Sequence, residues 1–296
     1  MFETILHILG ILFPLFACAG LGYAYGYRHR PDMAVINHLN MQIFAPFLVL
    51  WALLDKPFDV LNYRDLAIGG SVVILAPGLL LLPLVKACKI NPKTFLPPMM
   101  FNNSGNMGIP LALFAFGQQA LQAAVVLFMI EMVLHLTVGL FILDHKTRPS
   151  ALLKMPMIQA TLVGLLLSHW HITLPEALAN TIKLLGQVSI PLLLFSLGVR
   201  LLNINLHDWK LGLLGAIAGP AASLIGVFLV IPLLDLDANQ YAQLLIFAAL
   251  PPAVMNVLIA EQYQQEPQRV ASIVLLGNLA SVVIMPIILW FALPHT

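Results

Sequence analysis

Residues 101–110 read Phe-Asn-Asn-Ser-Gly-Asn-Met-Gly-Ile-Pro, a polar, glycine-bearing stretch in the middle of an otherwise apolar run. A continuous helix is unfavourable there, because Pro110 has no N–H to donate and Gly105 and Gly108 each cost about 1 kcal/mol relative to alanine. Residues 250–256, Leu-Pro-Pro-Ala-Val-Met-Asn, interrupt a second apolar run. The sequence therefore predicts two broken helices.

The composition predicts that both helices lie in a membrane. Hydrophobic residues make up 60% of the 296 residues and charged residues only 9%, far from the values of soluble domains. Since a spanning helix needs about 20 apolar residues, the chain has room for about ten spans and no separate soluble domain. The net charge of +1 argues against a nucleic-acid partner.

The apolar runs predict an all-α polytopic membrane protein with ten transmembrane helices. The candidate spans are bounded by charged residues, prolines or asparagines, and they cover residues 4–25, 33–54, 65–85, 94–117, 120–143, 151–170, 178–199, 211–233, 241–263 and 269–293.

The positive charges predict the orientation of these spans, because cytoplasmic loops collect lysine and arginine. Eleven of the 14 fall in one set of alternate connections, which predicts that both termini lie on the non-cytoplasmic side. We expect this multi-pass protein in the bacterial cytoplasmic (inner) membrane. The eleven are Arg28, Arg30, Lys86, Lys89, Lys93, Lys146, Arg148, Lys154, Arg200, Lys210 and Arg269, and the other three are Lys56, Arg64 and Lys183.

A weak internal repeat relates the two halves of the chain. Residues 44–48 (FAPFL) match residues 189–193 (SIPLL), and residues 116–119 (FGQQ) match residues 263–266 (YQQE). Because each copy holds five spans, an odd number, the second copy must enter the membrane from the opposite side. We therefore predict two inverted repeats, residues 1–150 and 151–296; unrelated helices in chance register are the alternative.

The two broken helices are the candidate substrate site. Unwound backbone is tolerated in a bilayer only where protein or water satisfies it, so we expect the breaks to meet, with half-helices that begin near Pro110 and just after Pro252 and direct their positive dipole ends at an anion. In the alternative, the asparagines only satisfy one another in a kinked bundle. The candidate substrate-binding residues are Asn102, Asn103, Ser104, Gly105, Asn106, Gly108, Pro110, Pro251, Pro252, Met255 and Asn256.

Glu131 is the one acidic residue well inside a predicted span, and an ionisable group at that depth suggests a function. His135 lies one helical turn further on the same face, and Asn278 occupies the position that matches Glu131 in the repeat. These three residues are candidates for proton coupling. The alternative is a protonated Glu131 that is hydrogen-bonded to its surroundings, with His135 satisfied nearby.

We expect no cofactor, no metal site and no enzymatic activity. His169 and His171 have a spacing that can bind a metal, but no third ligand is near them in the sequence. The chain has no Walker, HExxH or GxSxG motif, so the sequence gives no support to ATP-driven pumping or to the common hydrolase mechanisms.

The residues Asn103 to Pro110, together with Leu250-Pro251-Pro252-Ala253 and the segment Ala260 to Tyr263, resemble the auxin efflux carrier family, which includes plant PIN proteins and bacterial organic-acid permeases. The resemblance covers the whole chain. It implies ten helices in two inverted repeats, an X-shaped crossing of broken fourth and ninth helices, and scaffold and transport domains that each draw on both repeats. It also implies a homodimer and an elevator-like motion.

These observations predict a secondary transporter that moves a small organic anion by alternating access. The resemblance favours carboxylates such as malate or malonate over auxin, because the long loop of many plant members is missing between Leu143 and Ala151. The alternatives are a sodium-coupled symporter on the same scaffold, an intramembrane enzyme that uses Glu131 and His135, and a ligand sensor that does not translocate its ligand.

Overall fold

The apolar runs of the sequence are helical in a computed structural model of the chain, which describes residues 2–55, 58–144, 153–202 and 208–293. These residues contain no β-strand, and their one β-type pairing is an isolated bridge. Seven of the described helices are long and apolar enough to cross a membrane, and two more are apolar but shorter. The prediction of an all-helical, multi-pass membrane protein is thus confirmed, whereas the ten-span inverted repeat stays a prediction.

The helices are labelled here by the predicted span to which they belong, with a and b for the halves of an interrupted helix. They are α1 (Phe2–His29), α2 (Ala34–Leu54), α3 (Val60–Ala87), α4a (Pro92–Met100), α4b (Ser104–Phe116), α5 (Gln118–Leu143), α6 (Pro156–His169), α7 (Glu176–Arg200), α8 (Trp209–Leu233), α9a (Ala238–Ala249), α9b (Met255–Gln262) and α10 (Pro267–Ala292).

The helices pack in two groups. In the first group, α1 lies along α7, and α2 packs against both α6 and α7. In the second group, α8 packs against α10 and α3, while α3 also contacts α5, and the halves of α4 and α9 lie among these helices. The two groups touch mainly where α1, α7 and α2 meet α4b, α5 and α10. Each group therefore contains helices from both halves of the sequence.

Hydrogen bonds join connections on one side of the bundle. The N–H of Phe58, between α2 and α3, donates to Ser168 Oγ at the end of α6, 2.9 Å away. Asp235, between α8 and α9a, donates its N–H to Asp65 Oδ2 at the start of α3, 2.8 Å away. These connections belong to the set that the charge pattern assigns to the non-cytoplasmic side.

Contacts on the other side join the remaining connections. Lys93 Nζ, at the start of α4a, donates to the carbonyl oxygen of Leu143 at the end of α5, 2.9 Å away. Arg269, at the start of α10, lies 3.6 Å from Asp208 at the start of α8. Both contacts pair connections of the predicted cytoplasmic set. Of the charges in that prediction, Lys56, Lys146 and Arg148 lie outside the described residues.

The crossing of α1 and α7 is so close that only glycine fits at Gly198. A Cβ atom there would lie 1.8 Å from the Ala19 carbonyl oxygen and 2.8 Å from the Tyr23 nitrogen, both backbone atoms that cannot rotate away. We expect Gly198→Ala to force the helices apart and lower the free energy of unfolding by about 3 kcal/mol. Thermal unfolding in detergent checks this.

Gly20→Ala is the matched control, because Gly20 lies in α1, the other helix of this crossing, and a Cβ there meets no atom within 4 Å. Its unfolding temperature should equal or slightly exceed that of the wild type, since alanine favours a helix. Equal unfolding temperatures for the Gly198→Ala variant and the wild type would show that α1 and α7 do not pack in this way.

Candidate functional site

The two interrupted helices meet in the interior. Between α4a and α4b, Asn102 forms an antiparallel bridge with Pro252, which lies between α9a and α9b. All the side chains at residues 101–104 and 250–253 are buried. The sequence-based prediction that both helices break, and that the breaks touch, is confirmed by this pairing.

Two backbone hydrogen bonds flank the bridge. The N–H of Asn103 donates to the carbonyl oxygen of Pro251 at 2.7 Å, and the N–H of Ala253 donates to the carbonyl oxygen of Phe101 at 2.9 Å. Each break therefore satisfies polar backbone of the other, as buried non-helical backbone requires.

The first break is shorter than the glycines and Pro110 suggested. The regular α-helix begins at Ile109, next to Pro110 as predicted, but a wide π turn, Ser104–Gly108, precedes it, so α4b as a whole begins at Ser104. In this turn the N–H of Gly108 donates to the Asn103 carbonyl oxygen at 3.1 Å. Pro110 falls in the first turn of the regular helix, where a missing N–H is tolerated. π turns of this kind are frequent at functional sites.

The two glycines of this turn allow close packing. A Cβ on Gly105 would lie 2.9 Å from the ring of Phe128, and a Cβ on Gly108 would lie 2.9 Å from Leu250 Cδ1. Both glycines are helical in the structure. They matter here because they leave room for neighbouring side chains.

Asn102 and Asn256 satisfy backbone that the breaks expose. Asn102 Nδ2 donates to the Phe247 carbonyl oxygen at 2.7 Å. Asn256 Nδ2 donates to two carbonyl oxygens, those of Phe101 at 3.0 Å and Ala253 at 2.9 Å, so it spans both breaks. The Oδ1 atoms of Asn102 and Asn256 are buried and have no hydrogen-bond partner among the described residues.

Asn278 of α10 brings a third amide to the crossing. Its Nδ2 donates to the Pro252 carbonyl oxygen at 3.1 Å, and its Oδ1 accepts from Asn103 Nδ2 at 3.2 Å. In contrast, the Asn106 side chain is only half-buried and makes no hydrogen bond within the described part of the chain. Met255, the first residue of α9b, is also half-buried at the edge of the break.

Glu131 and His135 form a buried pair beside the crossing. His135 Nδ1 lies 3.0 Å from Glu131 Oε1, and the two residues are 4% and 5% exposed. Ser104 Oγ, at the start of α4b, donates to Glu131 Oε2 at 3.4 Å. The His135 ring stacks on the Phe101 ring, with centroids 4.2 Å apart and an interplanar angle of 5°. The pair therefore contacts the first break directly.

Sequence reasoning missed three residues of this site. Phe101 reads as an ordinary apolar residue, although its ring contacts His135 and its carbonyl group accepts from the second break. Gly277 lies against Pro252, since a Cβ there would be 2.5 Å from the proline Cδ. Gln243 of α9a is 3% exposed and its Oε1 has no partner among the described residues. A polar residue at the middle of an apolar helix was the one available signal, and it applied to Gln243 alone.

Two small cavities flank the crossing. One, of about 10 Å³, is lined by residues that include Lys93, His135 and Asn256, and the other, of about 20 Å³, by residues that include Ser104 and Gln243. A volume of this size holds about one water molecule, so neither cavity admits a carboxylate in this conformation. Among the described residues, no group of three or more His, Cys, Asp and Glu side chains is placed to hold a metal ion.

The helical spans and the buried polar crossing define a multi-pass membrane protein. Residues 145–289 match the family model described as membrane transport protein. The chain is also 26% identical over 125 residues to the probable auxin efflux carrier component 5b of Oryza sativa subsp. japonica, a match that covers 40% of this chain and 33% of the rice protein. Together these two matches support the resemblance to the auxin efflux carrier family.

Proposed function

We propose that the protein is a secondary transporter that carries a small organic anion across the bacterial cytoplasmic membrane by alternating access. The observation that carries this proposal is the buried crossing, where α4b and α9b both begin at interrupted backbone. In this account the chain crosses the membrane ten times in two inverted repeats, residues 1–150 and 151–296. The rice relative spans about three times the matched length, so its name does not decide the substrate.

An anion fits the crossing because two helix N-termini are located there. The first N–H groups of a helix have no acceptor within the helix, and the dipole places partial positive charge at that end. In α4b these groups belong to Ser104, Gly105 and Asn106, and in α9b they begin at Met255. The side-chain amide of Asn106 adds a further donor.

The remaining candidate residues would hold the crossing in shape. Asn102, Asn103 and Asn256 use amide hydrogens on neighbouring protein groups, so their part in binding is to position the backbone. Pro251 and Pro252 keep α9 interrupted, since neither can donate to a helical hydrogen bond.

Coupling to protons would use the Glu131–His135 pair. A carboxyl group and an imidazole 3.0 Å apart can share a proton, and both contact the first break through Ser104 and Phe101. Asn278 would transmit changes at this break to the second, because it bonds Asn103 and the Pro252 carbonyl group.

Alternating access would come from movement of one packing group against the other. The group of α1, α2, α6 and α7 would act as the scaffold, and the group that contains the crossing would carry the substrate. The small cavities support this view, because substrate entry requires the groups to separate. A homodimer that associates through the scaffold would hold one group still while the other moves.

A sodium-coupled symporter is the second candidate. The buried Oδ1 atoms of Asn102 and Asn256, which have no partner among the described residues, are acceptors of the kind that a hard cation prefers. In this alternative the cation would bind between the two breaks and the anion next to it.

Exchange in proteoliposomes tests the proposed function. Vesicles that contain the protein and unlabelled malonate should take up labelled malonate from outside by exchange, in the absence of sodium. Vesicles that contain the protein but no malonate should not. Uptake that requires sodium would favour the symporter. Binding of malonate to the purified protein without any exchange would identify a sensor and contradict the proposal.

A further inference from the structure

We propose that Phe101 is the positioning residue through which a proton bound by the Glu131–His135 pair holds the two breaks together. The inference rests on the proposed function and deepens it, because it names the contact that links the coupling proton to the crossing. In this account the structure is the form of the protein that holds the proton.

Phe101 lies between the proton-binding pair and the second break. It is fully buried and directly follows α4a, with an extended backbone (φ −100°, ψ 104°). Its ring stacks on the His135 ring, with centroids 4.2 Å apart and an interplanar angle of 5°. Its carbonyl oxygen accepts from the Ala253 N–H at 2.9 Å and from Asn256 Nδ2 at 3.0 Å. A displacement of this one residue therefore disturbs both the pair and the second break.

A glycine of α5 makes room for the stack. Gly139 ends a π turn that begins at His135. A Cβ atom on Gly139 would lie 2.7 Å from the Phe101 ring and 3.1 Å from His135 Cδ2. Because the two rings and this glycine are in close contact, the Phe101 ring cannot move far without a change in its contact with the imidazole.

The first break stabilises the ionised form of the pair, a carboxylate beside an imidazolium. Ser104 Oγ donates to Glu131 Oε2 at 3.4 Å, and a donated hydrogen bond favours the carboxylate. The Phe101 ring face attracts a cation within about 6 Å, and this attraction is strongest where water is excluded. A proton that the pair takes up therefore resides on the imidazole, 3.0 Å from the carboxylate oxygen, while the carboxylate stays ionised.

The contact links proton binding and the position of the break in both directions. If the proton strengthens the stack, the stack must strengthen proton binding by the same amount. Movement that draws Phe101 away from His135 thus lowers the proton affinity of the pair, and loss of the proton weakens the hold on Phe101. Because the Phe101 carbonyl group also holds two donors of the second break, the proton and the crossing leave this arrangement together. Such coupling needs no continuous proton route across the membrane.

Few other charged groups face the pair in the described residues. Of the residues that line the small cavity beside the pair, Lys93 is the one charged residue besides the histidine, and its Nζ donates to the Leu143 carbonyl oxygen at 2.9 Å. Tyr63 of α3 contacts α5 near the start of that helix, where its hydroxyl group donates to Gln122 Oε1 at 2.9 Å. The charge that changes with pH beside the first break is therefore that of the pair.

Thermal unfolding of the purified protein in detergent, without malonate, tests the contact between Phe101 and the proton. Phe101→Leu keeps the backbone carbonyl group and removes the ring, so the unfolding temperature should fall at every pH because a core side chain becomes smaller. At about pH 5, where an imidazole binds a proton, we expect this fall to exceed that at about pH 9 by about 2 °C or more. The reason is that only the imidazolium loses a cation–π contact.

Phe95→Leu is the matched control, because Phe95 is a fully buried phenylalanine of α4a that lines neither cavity and stacks on no ring among the described residues. Its unfolding temperature should fall equally at both pH values. When His135→Gln is also present, the pH-dependent part of the Phe101→Leu effect should vanish, since both residues act on one charge. Equal falls at both pH values for folded Phe101→Leu, or a pH-dependent fall that persists without His135, would overturn the proposal.

Transport by the same variants tests whether this contact couples the proton to the crossing. In Phe101→Leu, we expect the ratio of malonate accumulation driven by a pH gradient to malonate exchange to fall about tenfold, the change in proton affinity that loss of a buried cation–π contact produces. The ratio should keep its wild-type value in Phe95→Leu, and an unchanged ratio in Phe101→Leu would overturn the proposal. A pH-dependent fall in the unfolding temperature of Phe101→Leu, with no malonate exchange by the wild type, would support the contact and contradict the proposed function alone. Exchange by the wild type without that pH-dependent fall would refute the contact alone.

Discussion

Replacing Asn256 with leucine is expected to abolish malonate exchange in proteoliposomes. The Asn256 amide donates to the carbonyl oxygens of Phe101 and Ala253, and thus ties the first break to the second. Leucine would remove this donor from both buried carbonyl groups. Each carbonyl group that finds no other partner would lower the stability by about 1–3 kcal/mol. Because a displacement of about 1 Å at a binding site can lower a rate 100-fold, we expect a loss of at least about 100-fold.

Asn239→Leu is the matched control for this variant. Asn239 lies in the first turn of α9a, on the same interrupted helix, and its side chain is exposed. Exchange by the Asn239→Leu protein should match the wild type, and thermal unfolding in detergent should show that both variants are folded. Wild-type exchange by the Asn256→Leu protein would mean that the crossing does not shape the substrate site.

Replacing Glu131 with glutamine is expected to uncouple transport from the proton gradient. Glutamine keeps the size of the side chain but cannot take up or release a proton, so the link between Ser104 and His135 loses its proton-carrying group. Accumulation of malonate driven by a pH gradient should fall to the level of vesicles without protein. Exchange between equal malonate concentrations should continue, since it moves no net proton.

Glu261→Gln controls for the removal of an acidic group. Glu261 lies near the end of α9b and is exposed, so its replacement should leave both gradient-driven accumulation and exchange unchanged. Gradient-driven accumulation by the Glu131→Gln protein would show that the coupling proton does not use this residue. Loss of exchange as well as accumulation would assign Glu131 to the shape of the site.

The breaks themselves could be predicted from the sequence because their causes are local. Pro251 and Pro252 cannot donate to a helical hydrogen bond, and residues 101–106 combine polar side chains with a glycine. The rule that unwound backbone must be satisfied inside a bilayer then predicted that the breaks meet. Helical spacing alone placed Glu131 and His135 on one face, and their nitrogen and oxygen atoms lie 3.0 Å apart.

What the sequence could not predict depends on contacts between distant segments. The start of α4b at Ser104 depends on a π turn whose bonds to the Asn103 carbonyl oxygen leave Pro110 in the next turn, where it fits. The stacking of Phe101 on His135 and the approach of Pro252 to Gly277 join residues from different helices. No local pattern marks these contacts.

A structure determined with malonate bound tests the central claim most directly, because the account places the substrate at the crossing. We expect carboxylate oxygens within hydrogen-bond distance of the first N–H groups of α4b and α9b, at Ser104 to Asn106 and at Met255. Malonate bound elsewhere, with the crossing of the breaks unchanged from the unbound form, would contradict the account.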